Sequence, residues 1–194
     1  MPPKMKTRIK VIDDFLPKIA FKDLQEYCQA DKFEIVSYSN KKFSVITTPN
    51  AFLPFLKLEG YDMILTFIRS AYEGFDEEIN IHADGLINGQ KVDKAAVLYI
   101  NDPEGVTPNG TQFYSHQTHG RILSADTPIE EQNRLLEEDS NNVSAWMATD
   151  SIVSIPNRLL RYESNMFHSK VPAKIKKGTR IVLVAFYKKI NRDL

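Results

Sequence analysis

Asn157-Arg158-Leu159-Leu160-Arg161-Tyr162-Glu163-Ser164-Asn165-Met166-Phe167-His168, followed by Lys176-Lys177-Gly178-Thr179-Arg180-Ile181-Val182-Leu183-Val184-Ala185-Phe186-Tyr187, is the part of the chain on which the fold turns. Each stretch holds a run of aliphatic and aromatic residues, 158–163 and 179–187, and turn-forming Ser, Asn, Pro and Gly separate the two. The same texture reaches back to Gly74. Ser151–Ile155, Thr111–Tyr114, Ala95–Ile100 and Glu78–His82 read as short strands, several alternating so that one sheet face packs and the other meets water or a ligand. Short strands with turn-rich joints predict a sandwich or barrel, not a parallel sheet wrapped by helices.

Upstream of Gly74 the pattern is mixed. Residues 8–12 suggest a strand, and Asp13-Asp14-Phe15-Leu16-Pro17 turns into a helix through Cys28. Lys42–Thr48 alternates like a strand. Phe55–Tyr72 reads as an amphipathic helix, with Leu58, Met63, Phe67 and Ile68 inward and an interruption at Gly60 and Tyr61. The expected organisation is a single domain, 1–194, with 1–74 supporting a core at 75–190. Residues 115–145 break the strand series as an excursion, either a lid over a site or solvent-exposed decoration. A short helix fits its middle, with Thr127 capping in front of Pro128 and Glu130 and Glu131 in the first turn.

The 194 residues carry 25 Lys+Arg against 25 Asp+Glu, so no global field draws the chain to nucleic acid or anionic lipid. Cys28 is the one cysteine, which excludes an intramolecular disulfide, a Cys-rich metal site and a thiol pair; it reads as a small buried residue rather than a nucleophile. The amino terminus lacks the apolar core of a signal peptide and no run has the length of a membrane span, so a cytoplasmic protein is expected.

The four histidines are His82, His116, His119 and His168. In Ile81-His82-Ala83-Asp84-Gly85 an extended backbone puts His82 and Asp84 on one side, so that an imidazole nitrogen and a carboxylate oxygen can converge on one ion. A second histidine completes a two-His, one-carboxylate triad of the kind that binds Fe(II) with open positions. His168 is the best third ligand, with His116 and His119, spaced His-x-x-His, as rivals.

These residues carry a family resemblance. His-x-Asp at 82–84, the distal His168 and Gly178-Thr179-Arg180 leading into a last strand resemble the core of Fe(II)/2-oxoglutarate-dependent dioxygenases, in particular the prolyl-4-hydroxylase-like branch. Val11-Ile12-Asp13-Asp14-Phe15-Leu16-Pro17 looks like that branch's opening, Ala96-Val97-Leu98-Tyr99-Ile100-Asn101 like its Tyr-Leu-Asn strand, and Asn109-Gly110-Thr111-Gln112-Phe113 like its Gly-Gly-Thr-x-Phe. The resemblance is patchy over roughly residues 8–190 and skips 115–145.

The resemblance implies a mainly β fold with supporting α-helices, a double-stranded β-helix (a cupin-like jelly roll). It implies His82, Asp84 and His168 as iron ligands, Arg180 holding the distal carboxylate of 2-oxoglutarate, and Tyr99 donating to the same carboxylate. An arginine suits that role because guanidinium matches a planar carboxylate with two parallel hydrogen bonds. Val182 stands where many members have Ser or Thr, which removes one hydroxyl from the cosubstrate pocket. The implied reaction hydroxylates a C–H bond with O2, releasing succinate and CO2. The substrate would be a prolyl or other amino-acid side chain, in a peptide or a small molecule; the balanced charge argues against nucleic acid. Two other readings stand beside it: a cupin-like metal enzyme that does not use 2-oxoglutarate, and a non-catalytic jelly-roll binding module. Trp146 is expected to pack the excursion onto the barrel, while Gln112 and Tyr114 are unassigned residues on a strand crossing near the site.

Overall fold

Strand alternation organises most of the chain. The computed structural model describes residues 8–30, 32–38, 41–87, 89–102 and 109–190; the ends of the expected domain, 1–7 and 191–194, lie outside the described residues. In chain order these form β1 (Ile9–Ile12), α1 (Lys18–Gln29), β2 (Glu34–Tyr38), β3 (Lys41–Thr47), a one-turn α2 (Leu53–Leu56), β4 (Tyr61–Tyr72), and a small hairpin of β5 (Leu86–Ile87) and β6 (Gln90–Lys91). They continue with β7 (Lys94–Tyr99), β8 (Gly110–His116), α3 (Ile129–Glu137), β9 (Trp146–Val153), β10 (Leu159–Glu163), β11 (His168–Val171) and β12 (Thr179–Lys189).

Two antiparallel sheets face each other as a jelly roll. The larger runs β1-β10-β7-β12-β4-β3-β2 and the smaller β11-β8-β9. Alternation decides what each face meets. On β12, Leu183, Ala185 and Tyr187 turn outward and pack with Leu16, Leu24 and Cys28 beneath α1. Val182, Val184 and Phe186 turn inward, towards Tyr99, Phe113, Leu160 and Tyr162 between the sheets. A third cluster, Ile81, Ala83, Leu123, Leu135, Trp146 and Phe167, lies on the outer side of the smaller sheet. The 115–145 excursion is therefore packed rather than decorative: Leu135 is fully buried, and Trp146 packs as expected.

Several sequence expectations are corrected. Residues 61–72 are a strand, not part of a helix over 55–72. β4 lies between β12 and β3 with both faces covered, so it carries apolar residues on both and loses the alternation that marks a half-exposed strand. Helix is confined to Leu53–Leu56, and β2 has no counterpart in the sequence reading. Glu78–His82 forms no continuous strand. Asp76 and Asn80 take positive φ, and the Ile81 amide bonds Ser140 O instead of a neighbouring strand; only His82 bridges to β11. Thr127 does not cap α3 with its side chain; its carbonyl accepts from Gln132 Nε2 at 2.7 Å.

Candidate metal centre

Parity places the predicted ligands. The His82 amide donates to His168 O at 3.0 Å and the His168 amide to His82 O at 2.9 Å, while the Asp84 amide donates to Ser164 O at 2.7 Å. With 82–84 held against Ser164 and His168, Ile81, Ala83 and Phe167 point out into the third cluster, and His82, Asp84 and His168 point into the sandwich. One ligand atom from each lies within 4.8 Å of the others. His82 Nε2 is 3.6 Å from Asp84 Oδ1, and His168 Nε2 is 3.5 Å from Asp84 Oδ2.

Both rings are set for coordination through Nε2. His82 Nδ1 is 2.8 Å from Asn80 O and His168 Nδ1 is 2.9 Å from Met166 O. A carbonyl can only accept, so each Nδ1 carries the proton and each Nε2 the lone pair. Burial, then the neighbouring His168, pushes the His82 imidazole down to about 4 against the pull of Asp84, so it is neutral at physiological pH. Two imidazoles and a carboxylate around an interior point fit a divalent transition ion that keeps open positions.

Arg180 enters the same interior from β12. The residue is 6% exposed, Nη2 donates to Gly110 O at 3.2 Å, and Nε has no hydrogen-bond partner among the described residues. No carboxylate among the described residues lies within ion-pair reach of it. A buried charge with no carboxylate in reach is expensive, and an anion entering beside Arg180 would offset that cost. Tyr99, fully buried, hydrogen-bonds Thr111 through the two hydroxyls at 2.7 Å, with the Arg180 guanidinium 5.8 Å from the Tyr99 ring centre. Thr111 thus brings a hydroxyl into the interior that Val182 also faces.

No family model matches the chain, and no curated protein matches it. Solved structures do. HygX from Streptomyces hygroscopicus, with nickel, 2-oxoglutarate and hygromycin B bound, superposes with a TM-score of 0.63 at 10% identity, over 95% of this chain and 84% of that one. SnoK, a non-heme alpha-ketoglutarate-dependent carbocyclase from nogalamycin biosynthesis, gives 0.64 at 10% identity over 93% and 79%. A Pseudomonas putida prolyl-4-hydroxylase gives 0.54 at 15% identity over 95% and 94%. The fold is that of the 2-oxoglutarate-Fe(II) oxygenases.

Within this oxygenase fold, the structure brings together all five predicted site residues and leaves the rivals outside. His116 Nε2, at the end of β8, lies 3.2 Å from Asp139 Oδ2 just beyond α3, and His119 Nε2 lies 2.7 Å from Glu131 Oε1 on α3, both contacts within the excursion. Gln112 Nε2 bonds Phe113 O and Asp150 O, and Tyr114 packs edge-on to Trp146, so both belong to the outer face. Sequence reasoning missed their neighbours of opposite parity, Thr111 and Phe113, which face inward. It also missed Tyr162, whose hydroxyl donates to His168 Nε2 at 2.9 Å and lies 3.4 Å from Asp84 Oδ2. Burial first, then the Asp84 charge, keeps that phenol protonated. Strand alternation relative to Leu160 is the signal that could have turned Tyr162 inward.

Proposed function

We propose that the chain is an Fe(II)/2-oxoglutarate-dependent dioxygenase that hydroxylates a C–H bond of a prolyl or other amino-acid side chain. The observation that carries this reading is the convergence of two Nε2 atoms and one carboxylate beside a buried arginine that has no carboxylate in ion-pair reach among the described residues. His82, Asp84 and His168 would hold the iron. Bound iron would supply the O2 chemistry, oxidative decarboxylation of 2-oxoglutarate to succinate and CO2 coupled to oxygen insertion into the substrate.

The remaining work belongs to the chain's own residues. The carbonyls of Asn80 and Met166 fix both imidazole tautomers, so no proton must leave Nε2 for a ligand bond to form. Arg180 offers its guanidinium to the distal carboxylate of 2-oxoglutarate, and the Tyr99–Thr111 hydroxyl pair stands beside it. The apolar walls, Val97, Phe113, Leu160, Val182 and Phe186, exclude water from the reacting end and strengthen these charged contacts. A metal enzyme that ignores 2-oxoglutarate would leave Arg180 buried without an anion.

The test is succinate formation from 2-oxoglutarate by iron-loaded protein, followed with metal content. H82A, D84A and H168A should lose both iron and turnover, and R180A should keep iron while 2-oxoglutarate affinity falls. Full iron content in D84A and H168A would remove the triad, and unchanged 2-oxoglutarate affinity in R180A would remove the clamp.

A further inference from the structure

Three cations face the interior beside the candidate metal centre, and the oxygenase reading uses one of them. Arg69 on β4 pairs across from Val182, so it shares a face with Arg180 two residues along β12. Lys170 stands two residues beyond His168 on β11, opposite Thr111, and so faces inward from the other sheet. Asp76, in the turn after β4, is the acid between Arg69 and Lys170. Its Oδ2 lies 2.5 Å from Arg69 Nη2 and its Oδ1 lies 3.4 Å from Lys170 Nζ. The cluster is sheltered, with side-chain exposures of 23% for Arg69 and 10% each for Lys170 and Asp76.

Asp76 shows what this pair of cations is shaped to hold. One carboxylate spans them, one oxygen on the guanidinium and the other on the ammonium, which also donates to Glu78 O at 2.6 Å. Of the nearby charged groups, Glu77 pairs with Lys174, and Lys41 donates to the side-chain oxygen of Asn80. With a divalent ion and dianionic 2-oxoglutarate in place, Arg69, Lys170, Arg180 and the ion would set five positive charges against the three negative ones of Asp84 and the cosubstrate, so the Arg69–Lys170 pair calls for a carboxylate, that of Asp76 or of a ligand.

We propose that Arg69 and Lys170 form a second carboxylate site, which takes the acid group of the substrate and which Asp76 occupies when the substrate is away. This rests on the oxygenase reading and sharpens it. The substrate class is a small acid, such as an amino acid with its carboxylate free, because an internal residue of a peptide offers only a neutral amide to a sheltered pair of cations.

The probe is acetate, with acetamide as its neutral match, titrated calorimetrically into protein loaded with Ni(II) and 2-oxoglutarate and, separately, into metal-free protein. In D76N the cradle is freed, so acetate should bind about tenfold more tightly than in wild type, while acetamide binding does not change. Adding R69Q or K170Q to D76N should abolish the gain. A gain in affinity cannot arise from misfolding, so D76N decides even where the double variants fold poorly. No gain in D76N would overturn the proposal, as would a loss of 2-oxoglutarate affinity in R69Q equal to that in R180Q, which would assign the cations to the cosubstrate. Should wild-type protein fail to bind 2-oxoglutarate, the oxygenase reading falls, and the metal-free acetate comparison still decides whether the cradle exists.

Discussion

Gly110→Ala should destabilise the protein more than its single added methyl suggests. Gly110 opens β8, pairs with both Val171 and Val153, and has φ +155°. A Cβ there would lie 2.0 Å from Ile152 O, 2.9 Å from Ser154 N and 3.0 Å from Ile152 C, all backbone atoms of the partner strand and its continuation. The first contact is more than about 1 Å inside ordinary van der Waals separation, and no rotamer change relieves it. Overpacking of this kind costs about 1–3 kcal/mol and the strained φ about 1–3 kcal/mol, so about 4 kcal/mol is expected, a large part of a typical domain's stability. Parting β8 from β9 also moves Gly110 O, which accepts from Arg180 Nη2, so 2-oxoglutarate affinity should fall with stability. Urea unfolding of G110A beside G85A, where a Cβ meets nothing within 4 Å, isolates the effect. The midpoint should drop sharply for G110A with its m-value unchanged, and move by less than about 1 kcal/mol for G85A. Wild-type stability in G110A would show that the β8–β9 approach is wrong.

Three other outcomes follow from individual side chains. Tyr162→Phe removes the donor to His168 Nε2 and should cost about 1 kcal/mol in metal-free protein; saturating metal, which claims that lone pair, should shrink the gap, and an equal gap in both states would contradict the contact. Glu131 is held down to about 2 by Arg134 first and then His119, so its contribution is complete above the unfolded value near 4.5 and is lost as pH falls towards 2. Fluorescence of Trp146, the one tryptophan, whose Nε1 bonds Asp139 O just beyond α3, should report that acid transition; an identical transition in E131Q would rule out Glu131 as its source. Burial pushes the Cys28 thiol up to about 12, so mass spectrometry should find it unmodified by iodoacetamide in native protein at pH 8 and labelled in urea; rapid native labelling would contradict its burial on the inner face of α1.

The parts of the site that were legible in the sequence are those set by local rules. A period of two puts His82 and Asp84 on one face whatever the tertiary structure, and the run from Thr179 to Tyr187 is apolar enough to be a central strand on its own. What escaped depends on neighbours far along the chain. β4 looks helical because α1 and the opposing sheet bury both its faces, and nothing local announces that. Alternation puts Tyr162 on the same face as Leu160, but that this face meets His168 depends on β10 lying beside β7 in the larger sheet. Arg69, Asp76 and Lys170 are spread over about a hundred residues and meet only because β4 and β11 belong to facing sheets. The excursion gave no local sign that Leu123 and Leu135 would seal the outer face behind the His-x-Asp segment.

The most direct measurement is an anaerobic titration of metal-free protein with Fe(II) and then 2-oxoglutarate, followed in the visible region. A saturable one-to-one metal-to-ligand charge-transfer band, lost in H168A and shifted to higher 2-oxoglutarate concentration in R180A, is the expected result. Iron binding without that band would contradict a 2-oxoglutarate enzyme, and folded protein that takes up no Fe(II) would contradict the metal centre itself.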